Sequence, residues 1–300
     1  MVSPVVVGVD GSAESLAAAA WAAREAERRD RPLRLVHAWA WHPRRAEHET
    51  ANAAQRQPAR RALRRAEDRV RAECPRLRAV DAQLEGPVVP ALLEAAGDAD
   101  VMVLGSRGPS GFTGLLAGSV ALGVVARATC PVVLVRADGE AADGHPPAGD
   151  GSAPVRTGHG DVVLAVDVHD ACDEVIGFAF EAARLRGARL RAVYAWRTAG
   201  PVGLGSGDIG LVRDSRQGEE WLGFLQAVLQ AWRDKYPDVE VRTTAVADKP
   251  TTALVRASTG ADLLVVGHRL AERPVVPRTG PVTHAAIHHV GCPVAVVPHA

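Results

Sequence analysis

Short apolar runs alternate with longer stretches of helical periodicity along the whole chain. In the first half, this pattern predicts strands near 5–9, 33–38, 79–84, 101–104 and 132–135, and helices near 13–29, 56–73, 89–97 and 119–128. The continuous run at 5–7 is typical of a strand buried on both faces, whereas Val80, Ala82 and Leu84 alternate with polar residues as in a half-buried strand. Alternation of strands and helices predicts an α/β fold built on doubly wound parallel sheet.

An internal repeat sets the domain organisation. Four segments of the first half recur in the second: VVVGVD at 5–10 as VVLAVD at 162–167, LRLVHAW at 33–39 as LRAVYAW at 190–196, VMVLGSR at 101–107 as LLVVGHR at 263–269, and CPVVLV at 130–135 as CPVAVV at 292–297. We therefore predict two tandem five-stranded parallel sheets, in domains spanning 1–137 and 161–300. Residues 138–160, rich in Gly, Pro, Ala and Asp, are predicted to be a flexible linker.

Composition and charge argue against several classes of function. Lys plus Arg and Asp plus Glu number 35 each, so the neutral chain offers no electrostatic support for binding nucleic acid or an anionic membrane. No apolar run is long enough to span a membrane, and the N-terminal residues lack the features of a signal peptide. The four cysteines form no Cys-x-x-Cys pair. We therefore expect a cytoplasmic protein with reduced thiols.

The residues most informative about function are 105–119, with the sequence GSRGPSGFTGLLAGS. They follow a predicted strand and lead into a predicted helix. Glycines let the backbone approach a ligand closely, and the first turn of a helix offers unpaired N–H groups to an anion. The loop therefore predicts a phosphate-binding site. It is neither the P-loop of nucleotide triphosphatases nor the G-x-G-x-x-G fingerprint of dinucleotide-binding proteins.

The spacing of this loop resembles that of a known family. The glycines and the serine follow the pattern G-x2-G-x9-G-[S/T] of ATP-binding universal stress proteins, and the matching context comprises VDGS at 9–12, VHA at 36–38 and CPVV at 130–133. The resemblance covers both halves, so the chain is similar to a tandem universal stress protein. It implies the Rossmann-like sandwich fold of the adenine nucleotide alpha-hydrolases. It also implies that the last strands of the two halves pair about a pseudo-twofold axis, and it leaves a homodimer possible.

The resemblance further implies the residues that contact an adenine nucleotide. Residues at the ends of the first two strands would face the base and ribose, those after the fourth strand would lie under the ribose and phosphates, and those at the end of the loop would bind the phosphate tail. The implied set is Gly8, Val9, Asp10, Ala38, Leu104, Gly105, Arg107, Gly108, Gly118, Ser119 and Val120. The expected ligand is ATP, with Mg²⁺ as a companion of the triphosphate.

The equivalent loop of the second half departs from the pattern. Leu270 replaces the second glycine and would crowd a phosphate, and Pro281 replaces the serine and has neither an N–H nor a hydroxyl to donate. Glu272 adds a carboxylate to a loop that would hold anions, and Val168-His169 replaces the Gly-Ser pair after the first strand. The sequence therefore predicts one ATP site per chain, in the first half.

The sequence leaves three functions open. The first is a nucleotide-responsive regulator that binds ATP without turning it over, and the resemblance implies its role in a stress response. The second is a slow ATPase or nucleotidyl enzyme, which is disfavoured because Arg107 is the single cation of the first loop and no paired base is evident. The third is a scaffold that binds no nucleotide.

Other sequence features are interpreted as structural. His284 and His288, with His289 adjacent, have a spacing that can bind zinc, but no cysteine or carboxylate apart from Cys292 past the helix end has suitable spacing, so no metal site is predicted. Cys130 and Cys292 are expected to be small buried residues rather than nucleophiles. The glycine-rich stretch 199–218 is expected to be a disordered surface loop rather than a mobile flap over the crevice.

Overall fold

The structure of the chain is a computed structural model. The structure describes residues 2–39, 47–106, 118–137, 160–197, 207–270 and 279–300, and of residues 47–56 and 207–215 it describes only the backbone. The predicted linker, 138–160, therefore lies outside the described residues except for Gly160, and the domain boundaries stay a prediction.

Among the described residues, each half contains five strands and four helices. The first half consists of β1 (Val5–Gly8), α1 (Ala13–Arg28), β2 (Leu33–Trp39), α2 (Glu47–Glu73), β3 (Ala79–Glu85), α3 (Val88–Ala96), β4 (Val101–Gly105), α4 (Ser119–Val125) and β5 (Val132–Val135). The second consists of β6 (Val162–Ala165), α5 (Asp173–Arg186), β7 (Leu190–Trp196), α6 (Gly207–Lys235), β8 (Val241–Ala247), α7 (Pro250–Ala257), β9 (Leu263–Arg269), α8 (Pro281–His289) and β10 (Val294–His299).

The strands of both halves join into one ten-stranded sheet. The strand order is β3-β2-β1-β4-β5-β10-β9-β6-β7-β8. All neighbouring strands within a half are parallel, and β5 and β10 pair antiparallel, with Val133 opposite Ala295. These two residues are equivalent in the repeat, so a pseudo-twofold axis passes between them. The expected α/β fold and the expected pairing of the last strands are both confirmed.

The core lies on both faces of the sheet, as double winding requires. Buried side chains of α1, α2, α5 and α6 pack on one face, and those of α3, α4, α7 and α8 pack on the other. Helix α1 is unusually rich in alanine, and residues 17–20 are completely or almost completely buried. Because alanine side chains are small, this helix can lie close against the strands. The interior is densely packed, so larger side chains would not fit between the helix and the sheet.

Two sequence-based expectations were wrong in detail. We expected Val80 to lie on the buried face of a half-buried strand. It is instead 63% exposed, as residues 79–81 all are, because β3 is the edge strand of the sheet. We also expected a loop over the whole stretch 199–218, but α6 already begins at Gly207. The glycines and polar residues obscured this helix start, while packing of the later apolar residues of α6 stabilises the helix.

Candidate functional site

The first-half crevice lies where β1 and β4 end side by side. Gly8 is in register with Leu104, and β1 also pairs with β2 on its other side, so the chain reverses its winding between β1 and β4. Ligands of open α/β sheets bind at such a switch point, beyond the carboxyl ends of the strands. Val9 follows β1, is buried, and donates its N–H to the Val36 carbonyl at 2.8 Å.

Asp10 projects from the floor of this crevice and is exposed. Its Oδ1 accepts hydrogen bonds from the N–H and the hydroxyl of Ser12 at 2.9 and 2.6 Å. Ser12 is also the N-cap of α1, because its Oγ accepts from the Ser15 N–H at 3.1 Å. The turn needs Gly11, whose φ is +84°. The helix start therefore holds the Asp10 carboxylate in a fixed position.

Gly105 lets the end of β4 approach the first turn of α1. A Cβ at this position would lie 2.8 Å from the Glu14 carbonyl carbon and 2.9 Å from the Ser15 nitrogen, and both are backbone atoms. Gly8 is also close to its neighbours, since a Cβ there would lie 2.5 Å from Cδ2 of Leu104, although that atom belongs to a side chain that can shift. The glycines thus form a tightly packed floor between the strand ends and the helix.

The glycine-rich loop returns to the sheet at Gly118. The Gly118 N–H donates to the Ser106 carbonyl at 2.8 Å, which joins the two ends of the loop. This amide is therefore already engaged, and Ser119 and Val120 are the exposed residues of the first turn of α4, which has no side-chain cap. The Ser106 hydroxyl is buried without a hydrogen-bond partner among the described residues.

The structure brings most of the predicted contact residues to one edge of the first-half sheet. The residues around the crevice are Gly8, Val9, Asp10, Leu104, Gly105, Gly118, Ser119 and Val120. Ala38 is half-buried near the end of β2, one strand further away. Arg107 and Gly108 lie outside the described residues, so their predicted roles stay predictions.

The second-half crevice encloses a cavity of about 410 Å³. Asp167, the equivalent of Asp10, lines it, and its Oδ1 accepts from the His169 N–H at 3.0 Å. Tyr194 also lines the cavity, with its hydroxyl 3.5 Å from Nε2 of His169. Pro281 begins α8, and the N–H of Leu270 is already used by the His299 carbonyl at 2.9 Å.

A cluster of three possible ligand side chains borders this cavity. Asp170, Cys172 and His299 place a carboxylate oxygen, a thiol and a ring nitrogen within 4.8 Å of one another. Sequence reasoning missed the cluster because Cys172 and His299 are 127 residues apart and share no ligand-spacing motif. The side chain of Arg269 pairs with the Asp170 carboxylate.

The two cysteines expected to be structural are buried. Burial raises the pKa of the Cys130 thiol to about 11 and that of the Cys292 thiol to about 12. Both thiols are therefore protonated at neutral pH and poor nucleophiles. The expectation that these two cysteines are buried is confirmed.

The two halves each match the same sequence family. The family model "Universal stress protein family" matches residues 1–136 and again residues 159–298. The chain belongs to the universal stress protein family. The family expectation raised by the loop and the repeat is thus confirmed for both halves.

Relatives within the universal stress protein family match nearly the whole chain. The universal stress protein Rv2005c of Mycobacterium tuberculosis is 34% identical over 302 residues, covering 97% of this chain and 96% of its own. A universal stress protein of Mycolicibacterium smegmatis is 32% identical over 276 residues, covering 88% and 86%. A crystal structure of a universal stress protein from Archaeoglobus fulgidus, 17% identical with a TM-score of 0.67, covers 99% of this chain and 98% of its own, and it shares the fold.

Among the described helices, none combines the length and the apolar character that crossing a bilayer needs.

Proposed function

We propose that the first half of this universal stress protein binds an adenine nucleotide, ATP together with Mg²⁺. We further propose that the protein acts as a nucleotide-responsive regulator in a stress response. The observation that carries the proposal is the register of β1 with β4, which puts the Asp10 carboxylate and the start of the glycine-rich loop at one switch point. Membership of the family and the loop spacing at 105–119 support the same site.

The residues of the crevice fit such a ligand. The Asp10 carboxylate is exposed and oriented by Ser12, so it can accept hydrogen bonds from a ribose or from the amino group of a base. The Ser106 hydroxyl is buried, has no hydrogen-bond partner in the part of the chain that the structure describes, and lies at the start of the loop, so it can bond to a polar ligand there. The exposed first turn of α4 adds N–H groups at the far end of the loop.

We propose that the second half does not bind ATP. The side chain of His299 lies against Gly267, the equivalent of Gly105, with Nε2 3.2 Å from the position of an added Cβ. The Leu270 amide is used within the sheet, and Pro281 has no N–H. The expected stoichiometry is therefore one nucleotide per chain.

We propose binding without sustained turnover. Phosphoryl transfer needs cations that neutralise the developing charge and a positioned nucleophile. In the sequence of the first loop, Arg107 is the single cation. Incubation with ATP labelled at the γ-phosphate should give no steady release of phosphate. Release that is lost in the Gly118→Val variant would instead favour an enzyme.

The nucleotide proposal is tested by calorimetric titration with ATP in the presence of Mg²⁺, and separately with AMP and cyclic AMP. The Asp10→Ala variant should bind at least about tenfold more weakly, because a hydrogen bond to a charged group contributes about 1.5–3 kcal/mol. The matched control is Asp167→Ala, which removes the equivalent carboxylate of the second half and should leave binding unchanged. A stoichiometry near two, or equal losses in both variants, would contradict the proposed single site.

A further inference from the structure

The second half differs from the first in the turn that follows its first strand. Helix α1 begins at Ala13, whose equivalent in the repeat is Asp170, but α5 begins only at Asp173. Residues 170–172 are therefore not helical, although the matching residues of the first half form the first turn of α1. This change moves the side chains of Asp170 and Cys172 to the border of the second-half cavity.

The last strand of the second half is also longer. Strand β10 spans Val294–His299 and pairs with β9 as far as His299 opposite Arg269, whereas β5 ends at Val135. The backbone of His299 is fixed because its carbonyl accepts the Leu270 N–H at 2.9 Å. The imidazole therefore lies against Gly267, the equivalent of Gly105, where the first turn of α1 lies in the first half.

The two changes bring three side chains together. Sγ of Cys172 lies 3.1 Å from Nδ1 of His299, and a carboxylate oxygen of Asp170 completes a set whose atoms all lie within 4.8 Å of one another. Ligands of a tetrahedral zinc ion are about 3.5 Å apart, given zinc–ligand distances of about 2.0–2.3 Å. All three side chains are half-buried, and a small adjustment of their rotamers would bring them into this geometry.

We propose that Asp170, Cys172 and His299 form a binding site for a divalent transition-metal ion of the zinc type. Thiolate, imidazole and carboxylate are the side chains that bind Zn²⁺ in proteins, and three protein ligands leave a fourth position open. That position faces the cavity of about 410 Å³. A water molecule or a small anion can occupy it.

The local charges are consistent with a bound cation. The pKa of the Cys172 thiol is raised by burial and by the nearby carboxylates of Asp170, Glu174 and Asp167, and it is lowered by the guanidinium of Arg269. Metal binding requires the thiol to release its proton to solvent and His299 to be neutral. The ion then replaces the guanidinium of Arg269 on the Asp170 carboxylate. This exchange costs little, because Arg269 is exposed and an exposed ion pair contributes little stability.

The surroundings argue against a free nucleophilic cysteine. Burial, together with the neighbouring Asp170 and Glu174, raises the pKa of the Cys172 thiol. A nucleophilic cysteine needs the opposite shift, whereas a bound metal ion would itself remove the proton. The convergence of the Asp170 carboxylate with Cys172 and His299, within 4.8 Å of one another, suits a metal ion.

The test uses the full chain, freed of metal with a chelator and titrated with Co²⁺ without nucleotide. We expect one Co²⁺ per chain, a thiolate-to-cobalt charge-transfer band in the near ultraviolet, and displacement of Co²⁺ by Zn²⁺, which binds such sites more tightly. Cys172→Ala should abolish the band, and His299→Ala should weaken binding at least about tenfold. Circular dichroism confirms that each variant is folded. A band that survives in Cys172→Ala would overturn the proposal.

Two further variants make the test specific. The control is His284→Ala, which disrupts the histidine pair on α8, whose rings lie 4.2 Å apart, and it should leave the band and the affinity unchanged. Arg269→Gln should strengthen binding several-fold, because Asp170 then has no competing cation. Loss of the band in His284→Ala would indicate that the metal binds at α8 and would contradict the proposed site. Weaker binding in Arg269→Gln would contradict a role for Asp170.

Discussion

At Gly105 the absence of a side chain serves both packing and ligand geometry. The atoms that an added Cβ would meet belong to the backbone of α1, so they cannot rotate away. Any larger residue must push the start of α1 away from β4. Because Ser12 at that start orients the Asp10 carboxylate, the displacement would also disturb the proposed nucleotide site.

We therefore expect Gly105→Ala to lower the free energy of unfolding by about 1–3 kcal/mol, the usual cost of forcing an atom into a packed region. It should also weaken ATP binding. Urea denaturation measures the first effect and calorimetry the second. The control is Gly223→Ala on α6, where an added Cβ meets nothing within 4 Å, so this change should stabilise the helix by about 0.5–1 kcal/mol. Equal destabilisation by both changes would refute the packing argument.

At the level of elements, α1 and α5 end in the same way but with different residues. In both, the backbone turns left-handed just after the helix, at Asp30 with φ of +51° and at its repeat equivalent Gly187 with φ of +58°. The following residue in each half donates its N–H five residues back, from Arg31 to Ala26 and from Ala188 to Ala183. Glycine is the favoured residue for this motif because it lacks a Cβ.

Exchanging these two residues should change stability in opposite directions. Asp30→Gly should raise the free energy of unfolding by about 0.5–1 kcal/mol, and Gly187→Asp should lower it by about 1–2 kcal/mol, because a non-glycine residue is strained there. Both positions are exposed, so packing changes little. Denaturant unfolding of the two single variants measures the effects. A shift in the same direction for both would show that local contacts of Asp30 outweigh backbone strain.

The sequence predicted most elements because their apolar patterns are determined locally. Strands such as β1 and β4 are continuous apolar runs, and the loop pattern at 105–119 located the first-half crevice. Exposure of Val80 depends on which strand ends the sheet, and the start of α6 depends on packing of its later turns, so local patterns could not reveal either. The cluster at Cys172 was hidden because it needs a late helix start and a strand end 127 residues away.

At the scale of the whole molecule, a buried ion pair links the two halves. Nη2 of Arg186 in α5 lies 2.6 Å from Oε2 of Glu25 in α1, and neither side chain is more than 2% exposed. Arg29 donates to the other oxygen of Glu25 at 2.7 Å, and its guanidinium also packs over the ring of Phe178 in the second half. Burial by itself would raise the pKa of the Glu25 carboxyl, but Arg186 and Arg29 hold it below its usual value.

Breaking this pair should destabilise the protein strongly. Glu25→Gln leaves the charge of Arg186 buried and uncompensated, which typically costs about 3–5 kcal/mol. Chemical denaturation provides the measurement. The control is Arg184→Ala on α5, the helix that carries Arg186. This change breaks an exposed pair with Glu181 and should change stability very little. If the two variants lose similar stability, burial of the Glu25–Arg186 pair does not determine its contribution.

The same carboxyl gives the stability a defined dependence on pH. Because its pKa in the folded protein lies below the ordinary value of 4.5, its stabilising effect is complete above that value. The effect is lost as the pH falls through the lowered folded-state pKa. We expect a steeper loss of stability below pH 4.5 in the wild type than in Glu25→Gln, measured by urea unfolding at a series of pH values. Parallel curves for the two proteins would contradict this assignment.

The antiparallel pairing of β5 with β10 has a consequence for how the two halves can communicate. Since strands run one way in the first half and the other way in the second, their carboxyl ends lie at opposite rims of the shared sheet. The proposed nucleotide and the proposed metal ion would therefore bind on opposite sides of the molecule. A single small ligand cannot bridge the two sites. Any influence of one site on the other must pass through the central strands and through α1 and α5, which the Glu25–Arg186 ion pair connects.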